Sequence, residues 1–204
     1  MLSVSIKNLY FHYSSTTPVI VNANFDFMAG QTYIIRGDNG VGKTTLLRLI
    51  CGLIKPIVGS VEKATNLVVG YVPDHNGLYG DLTVLDNINF RLALYKMKYI
   101  DNKERVDSLL KTFNLEKYQH KLIKDLSLGL KKKAAIVATF SVRPDLLVLD
   151  EPTGGVDDTS KKELLDILSA PTNNQTIICA SHDHALTKNN NYTHLLLSDG
   201  AIMI

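Results

Sequence analysis

Residues 37–45 read Gly37-Asp38-Asn39-Gly40-Val41-Gly42-Lys43-Thr44-Thr45 and fit the spacing G-x-x-x-x-G-K-[ST]. Glycines at those places let a backbone wrap a phosphate, with successive N–H groups pointing inward. A helix opening at the lysine brings the positive end of its dipole to the same point. Lys43 then reaches the β- and γ-phosphates of a nucleotide, and Thr44 offers its hydroxyl to Mg²⁺. Further along, Leu146-Leu147-Val148-Leu149 runs into Asp150-Glu151, a buried-strand pattern whose carboxyl end carries two acids. Asp150 is placed to hold Mg²⁺ on the phosphates. Glu151 is placed to orient a water attacking the γ-phosphate and to take its proton. His182 follows the next apolar run and can sense the γ-phosphate, although alone it reads as a surface or satisfied core histidine. Tyr13 ends the first apolar run; its ring can stack on adenine, with ordinary packing as the alternative.

The flanking patterns supply elements to hold these groups. Thr32-Tyr33-Ile34-Ile35-Arg36 reads as a buried strand, and the run from Thr44 to Ile50 as a helix closed by Gly52. The first 30 residues read as antiparallel sheet, with a turn at Ser14-Ser15-Thr16-Thr17-Pro18. Short strands follow at 58–61 and 67–72, then a loop, Pro73-Asp74-His75-Asn76-Gly77. Thr83 and Asp86 form a capping signal for a helix to about Tyr95. Asp101 with Glu104, and Ser160 with Glu163, repeat that signal ahead of helices ending near Phe113 and Leu168. The result is a helical insert from about residue 75 in an otherwise alternating β/α chain. Its two helices finish by about 125, and a third runs from the 126–130 stretch to Phe140. Residues 176–180 read as another buried strand, and 194–204 as a hairpin about Asp199-Gly200, with no further domain after it.

Composition narrows the function class. A chain of 204 residues buries a core without metals or disulfides, and its net charge of +2 argues against nucleic acid or an anionic membrane surface as partner. Its one basic run, Lys131-Lys132-Lys133, reads as a solvated helix face. Cys51 and Cys179 sit in apolar runs and read as buried thiols of a reducing compartment. No membrane span or signal peptide is expected, so a membrane role would come through a partner.

In order, these residues resemble the nucleotide-binding domain of ABC-type ATPases over essentially the whole chain. Tyr13 matches the adenine-stacking aromatic, and 37–44 the Walker A loop. Residues 126–130 match the signature loop, and 146–150 Walker B. Glu151 matches the catalytic glutamate, 155–157 the D-loop and His182 the switch histidine. The resemblance implies an α/β fold: a P-loop NTPase core with a mainly parallel sheet, an N-terminal antiparallel β subdomain and a helical subdomain insert of about 75–140. All of this would lie within one domain, 1–204. It implies ATP and Mg²⁺ as cofactors, residues 37–45 on the phosphates, Thr44, Asp74 and Asp150 toward the metal, and Lys43, Glu151 and His182 in catalysis. It also implies a sandwich of two copies, in which Ser127 and Gly129 of one chain complete the site of the other.

The sequence departs from the family pattern at four places. Leu128 replaces a glycine and Leu130 a glutamine in the signature, Gly154 stands where serine is common, and Asp74 stands where glutamine is usual. Asp74 can still ligate a hard cation. Beside Asp150 it adds a second negative charge, which predicts nucleotide binding steeply dependent on Mg²⁺. A solvated loop acid is the alternative.

Three functions compete. The first is the ATPase subunit of a membrane transporter, cytoplasmic and peripheral on the inner face through a separate multi-spanning subunit. Tyr71-Val72-Pro73-Asp74, Gly77-Leu78-Tyr79 and Leu82-Thr83-Val84 look most like exporters of drugs, peptides or bacteriocins. The second is a soluble ABC ATPase in a non-transport process, against which the absence of heptads and of a repeat counts. The third is a nucleotide-binding switch without turnover, which would need neither Glu151 nor His182.

Overall fold

Strands in this chain alternate apolar residues toward two different cores, and that alternation fixes the layers. The computed structural model describes residues 1–14, 17–75, 77–169 and 174–203. Ser15, Thr16, Asn76 and Ile204, which the sequence reading places in a turn, a loop and a hairpin, lie outside these. The central sheet has six strands: β3 (Thr32–Arg36), β5 (Val69–Val72), β6 (Leu146–Asp150), β7 (Thr176–Ala180), β8 (Thr193–Ser198) and β9 (Ala201–Met203). Their order is β5-β6-β7-β3-β8-β9, parallel except for β9, which pairs antiparallel with β8 as the expected hairpin. Both faces of β6 and β7 are fully buried, so their sequences are continuous apolar runs. Tyr33, Ile35, Leu146, Val148, Ile178 and Ala180 point to one core; Ile34, Leu147, Leu149, Ile177 and Cys179 point to the other.

The first core is closed by helix α1 (Lys43–Cys51) and an antiparallel sheet ordered β2-β1-β4, from β1 (Leu2–Phe11), β2 (Ile20–Met28) and β4 (Val58–Lys63). The second core is covered by α2 (Val84–Leu94), α3 (Tyr99–Thr112), α4 (Leu128–Ser141) and α5 (Asp158–Ser169). The short helix α6 (His184–Thr187) follows β7. This is the α/β architecture expected: a mainly parallel core, an antiparallel sheet and a helical insert.

Helix boundaries test the capping arguments. Thr83 caps α2 with a full capping box: its Oγ1 accepts from the Asp86 N–H at 3.1 Å, and its own N–H donates to Asp86 Oδ2 at 3.3 Å. Gly52 closes α1 in the left-handed conformation, φ 79°. Two expected caps are corrected. Helix α3 begins at Tyr99 behind Lys98, so Asp101 lies inside the first turn and favours the helix through the dipole. For α5, Asp157 performs the capping, its Oδ1 accepting from the Ser160 N–H at 3.1 Å, while Ser160 is fully buried inside the helix.

The cysteines and the lysine run also differ from expectation. Cys179 is fully buried, but Cys51 is only half-buried. Burial still pushes the Cys51 thiol up to about 12, so neither thiol is a ready nucleophile. The lysine run is no solvated face: Lys132 and Lys133 are 3% and 6% exposed. From Lys132 to Ser141 every residue of α4 is buried, so the two long side chains that open this stretch must find partners inside.

Candidate active site

Parallel pairing brings the carboxyl ends of β3, β5, β6 and β7 to one edge of the sheet, and every predicted strand-end group therefore meets there. The loop between β3 and α1 wraps that edge. Gly42 caps α1 at φ 111°, a left-handed conformation that a Cβ would strain, and that Cβ would lie 2.8 Å from Val19 Cγ1. No side chain caps α1, so its first-turn N–H groups stay available to an anion.

A cavity of about 340 Å³ opens at this point. It is lined by Asn39, Gly40, Gly42, Lys43, Thr44 and Thr45 of the loop and helix start, by Tyr13 and Val19, and by the acids Asp74, Asp150 and Glu151. Tyr13 is half-exposed; its hydroxyl lies 3.1 Å from Thr45 Oγ1, and its ring meets Phe11 edge-on at 5.0 Å. Val41 is turned into the core instead. Gly37, Asp38 and His182 line an adjoining cavity of about 410 Å³.

Lys43 is buried, and its ammonium donates to the carbonyls of Gly37 at 2.8 Å and Asp38 at 3.1 Å and to His182 Nε2 at 2.9 Å. The same Nε2 lies 3.5 Å from Glu151 Oε1. Glu151 sits at φ 45° beyond β6; its Oε2 accepts from the His182 N–H at 3.3 Å, and its Oε1 is buried without a hydrogen-bond partner in the structure. A carboxylate oxygen so placed is ready to accept from water.

Asp150 is 2% exposed, and its Oδ2 is likewise buried and unpartnered. Burial pushes this carboxyl upward, while the neighbouring Thr44 hydroxyl holds it down. An orphaned carboxylate oxygen beside a threonine hydroxyl fits Mg²⁺, which takes few protein ligands and completes its shell from phosphates and water. Among the described residues no cluster of three or more His, Cys, Asp or Glu is suited to holding a metal.

Two buried lysines near the site escape the sequence reading. Lys132 Nζ donates to the carbonyls of Asp74 at 3.0 Å, Asp150 at 3.2 Å and Pro73 at 3.4 Å, and lies 3.6 Å from Asp74 Oδ1. Lys133 pairs with Asp157. The usable signal was the mainly apolar stretch directly after them, 134–141, whose burial carries the two lysines inward. A buried ammonium thus stands beside Asp74, a neighbour that the sequence reading does not anticipate.

Ser127 and Gly129 do not line the cavity. Ser127 caps α4, accepting weakly from the Leu130 N–H at 3.4 Å, and Leu128 beside it is 70% exposed. A Cβ on Gly129 would lie 2.3 Å from the Gly155 carbonyl oxygen, so close passage of the 154–155 backbone demands glycine here.

A family model described as ABC transporter matches residues 20–154. An uncharacterised ABC transporter ATP-binding protein of Methanocaldococcus jannaschii is 32% identical over 180 residues, covering 88% of this chain and 68% of the relative. The zinc import ATP-binding protein ZnuC of Ehrlichia canis is 31% identical over 194 residues, covering 93% of this chain and 77% of the relative. Among solved structures, a dimeric ATP-binding cassette bound to ADP and Pi shares the fold with a TM-score of 0.86 at 24% identity, over 98% of this chain and 97% of that one.

Proposed function

The chain belongs to the ABC transporter family as an ATP-binding, ATP-hydrolysing subunit, and from that premise we propose that it powers transport through a membrane subunit on a separate chain. The meeting of Lys43, Thr44, Asp150 and Glu151 around one cavity carries this reading. In it, residues 1–204 act as one ATPase domain with the helical part at about 75–140.

The geometry supports the following residue roles. The first-turn N–H groups of α1 and the loop 37–42 bind the phosphates, and Tyr13 offers its exposed ring to the adenine. Lys43 leaves the carbonyls of Gly37 and Asp38 to neutralise the transferring phosphate. Thr44 and Asp150 would hold Mg²⁺, which supplies charge against the β- and γ-phosphates. Glu151 takes the proton of the attacking water through its free Oε1, and His182, held by Lys43 and Glu151, sits where the γ-phosphate would be felt. Ser127 and Gly129 reach nucleotide only when a second copy presents them, so the working unit is a pair of chains.

The membrane partner is proposed to dock beside the helical insert, where Tyr79, Phe90 and Leu94 are 56%, 40% and 66% exposed. Asn87 holds Tyr79 in place, giving and receiving hydrogen bonds with its backbone at 3.1 and 2.8 Å. Among the described residues no helix is long and apolar enough to cross a membrane, which fits attachment through a partner on the cytoplasmic side. The stretch 71–84 favours export, whereas the likeness to a zinc import subunit favours uptake. Assaying transport in right-side-out and inverted vesicles separates these directions. The wider reading is tested by purifying the chain from membranes: a multi-spanning protein should come with it, and Tyr79 should cross-link to one of that protein's cytoplasmic loops. Capture of soluble partners alone, with ATP turnover intact, would replace transport by a non-transport ABC function.

A further inference from the structure

We propose that Lys132 is a positioning residue for the nucleotide site, its buried ammonium balancing Asp74 and holding the backbone on which Asp74 and Asp150 stand. This deepens the reading of the cavity as a nucleotide site and rests on it. Three observations carry the idea. Lys132 is 3% exposed and donates to carbonyls on two separate elements, the loop after β5 and the end of β6. The carboxylate near its Nζ, that of Asp74, is half-exposed and lines the cavity, so the pair sits at the boundary between the interior and the phosphates. Lys132 itself projects from the second turn of α4, the helix that Ser127 caps. One side chain thereby ties the signature helix to both the Asp74 loop and the strand end proposed to hold the metal.

The charge argument decides what this does. A nucleotide brings several negative charges to a wall already holding Asp150, Glu151 and Asp74. A buried cation alongside Asp74 reduces the repulsion that wall exerts. Without Lys132, Asp74 would face the phosphates uncompensated; without Asp74, Lys132 would be a buried cation lacking its carboxylate, which is strongly unfavourable. Asp74 and Lys132 therefore act as one coupled pair.

The test is a double-mutant cycle on Asp74→Asn and Lys132→Gln, with Lys132→Arg as the charge-keeping control, read by ADP affinity without Mg²⁺ and by thermal unfolding without nucleotide. Lys132→Gln should weaken Mg²⁺-free ADP binding by about fivefold or more, and adding Asp74→Asn should restore it. Asp74→Asn alone should lower the unfolding temperature yet strengthen Mg²⁺-free ADP binding, opposite signs that a purely structural residue would not give. Lys132→Arg should bind like the unaltered chain. Equal weakening by Lys132→Gln in either background would overturn the proposal, leaving Lys132 as a backbone tie only. If Lys132→Gln does not fold, the opposed signs of Asp74→Asn decide alone, and their absence overturns the pair. Failure of the unaltered chain to bind any nucleotide, with or without Mg²⁺, would instead sink the site reading, and no variant is needed to see it.

Discussion

Helices α1 and α4 both carry a glycine and a hydroxyl side chain near their N-termini, yet they dispose of their positive ends differently. At α1 the cap is Gly42, no side chain covers the first-turn N–H groups, and Lys43 points into the same enclosed space. At α4 the hydroxyl of Ser127 caps the turn, and the lysines at 132 and 133 are turned inward to Asp74, Asp150 and Asp157. What faces outward beside the α4 cap is Leu128. One helix start thus offers charge to the cavity, the other an exposed apolar side chain to its surroundings. Affinity for nucleotide should reside on the α1 side and association of two chains on the α4 side.

The sharpest break of that division lies in turnover. Glu151→Gln should keep ATP binding and lower hydrolysis by at least about 100-fold, because shape and hydrogen bonding survive while the base is lost. Lys43→Ala should lose both, since the ammonium serves binding and charge neutralisation alike. Nucleotide titration beside phosphate release separates the two; a Glu151→Gln chain that hydrolyses at the normal rate would move the base elsewhere.

Next in size is the α4 side. In the Glu151→Gln background, ATP should double the mass seen by light scattering. Gly129→Ala should abolish that doubling while single-chain ATP affinity stays within about threefold, because its Cβ strikes the Gly155 carbonyl and misplaces the signature loop without touching the cavity. Leu128→Ser should weaken the pair by about tenfold if each copy buries that side chain, worth about 1.5 kcal/mol. An ATP affinity falling in step with pairing in both variants would erase the distinction between the two loops.

The same contrast governs what the sequence made legible. Residues 37–45 declare themselves because a phosphate cradle needs glycines and a lysine contiguous in the chain, and Asp150, Glu151 and His182 follow because parallel strands send their carboxyl ends to one edge. The α4 side depends on packing between distant segments. Lysines 132 and 133 look solvated by composition, and only the burial of the rest of α4 reveals that they point inward. The glycine at 129 reads as a phosphate contact, yet its constraint comes from a backbone pass at Gly155 that no spacing rule anticipates. The caps misplaced at Asp101 and Ser160 fail for a similar reason: an acid fits equally well inside a first turn, and α5 is capped from Asp157, outside the apparent box.

The smallest expected effect tests whether α4 is indeed held by ionic ties. Lys133 pairs with Asp157, whose carboxyl is held down to about 2, first by that lysine and then by the Ser160 N–H. The unfolded carboxyl titrates near about 3.9, so its folded pKa is the lower of the two and the pair stabilises the chain most fully above that value. The contribution is then lost as pH falls from about 4 toward about 2. Because the Asp157 side chain is 52% exposed, water screens the pair, and a discount to about 1 kcal/mol or less is appropriate. Urea midpoints measured between pH 6 and pH 2.5 should therefore fall more steeply for the unaltered chain than for Asp157→Asn, with a constant difference above about pH 5 where the carboxylate is fully ionised in both states. Other acids titrate in the same window, but they do so in both chains and cancel in the difference. Parallel curves over the whole range would mean that packing of the apolar stretch, with no help from Lys133, fixes the signature helix.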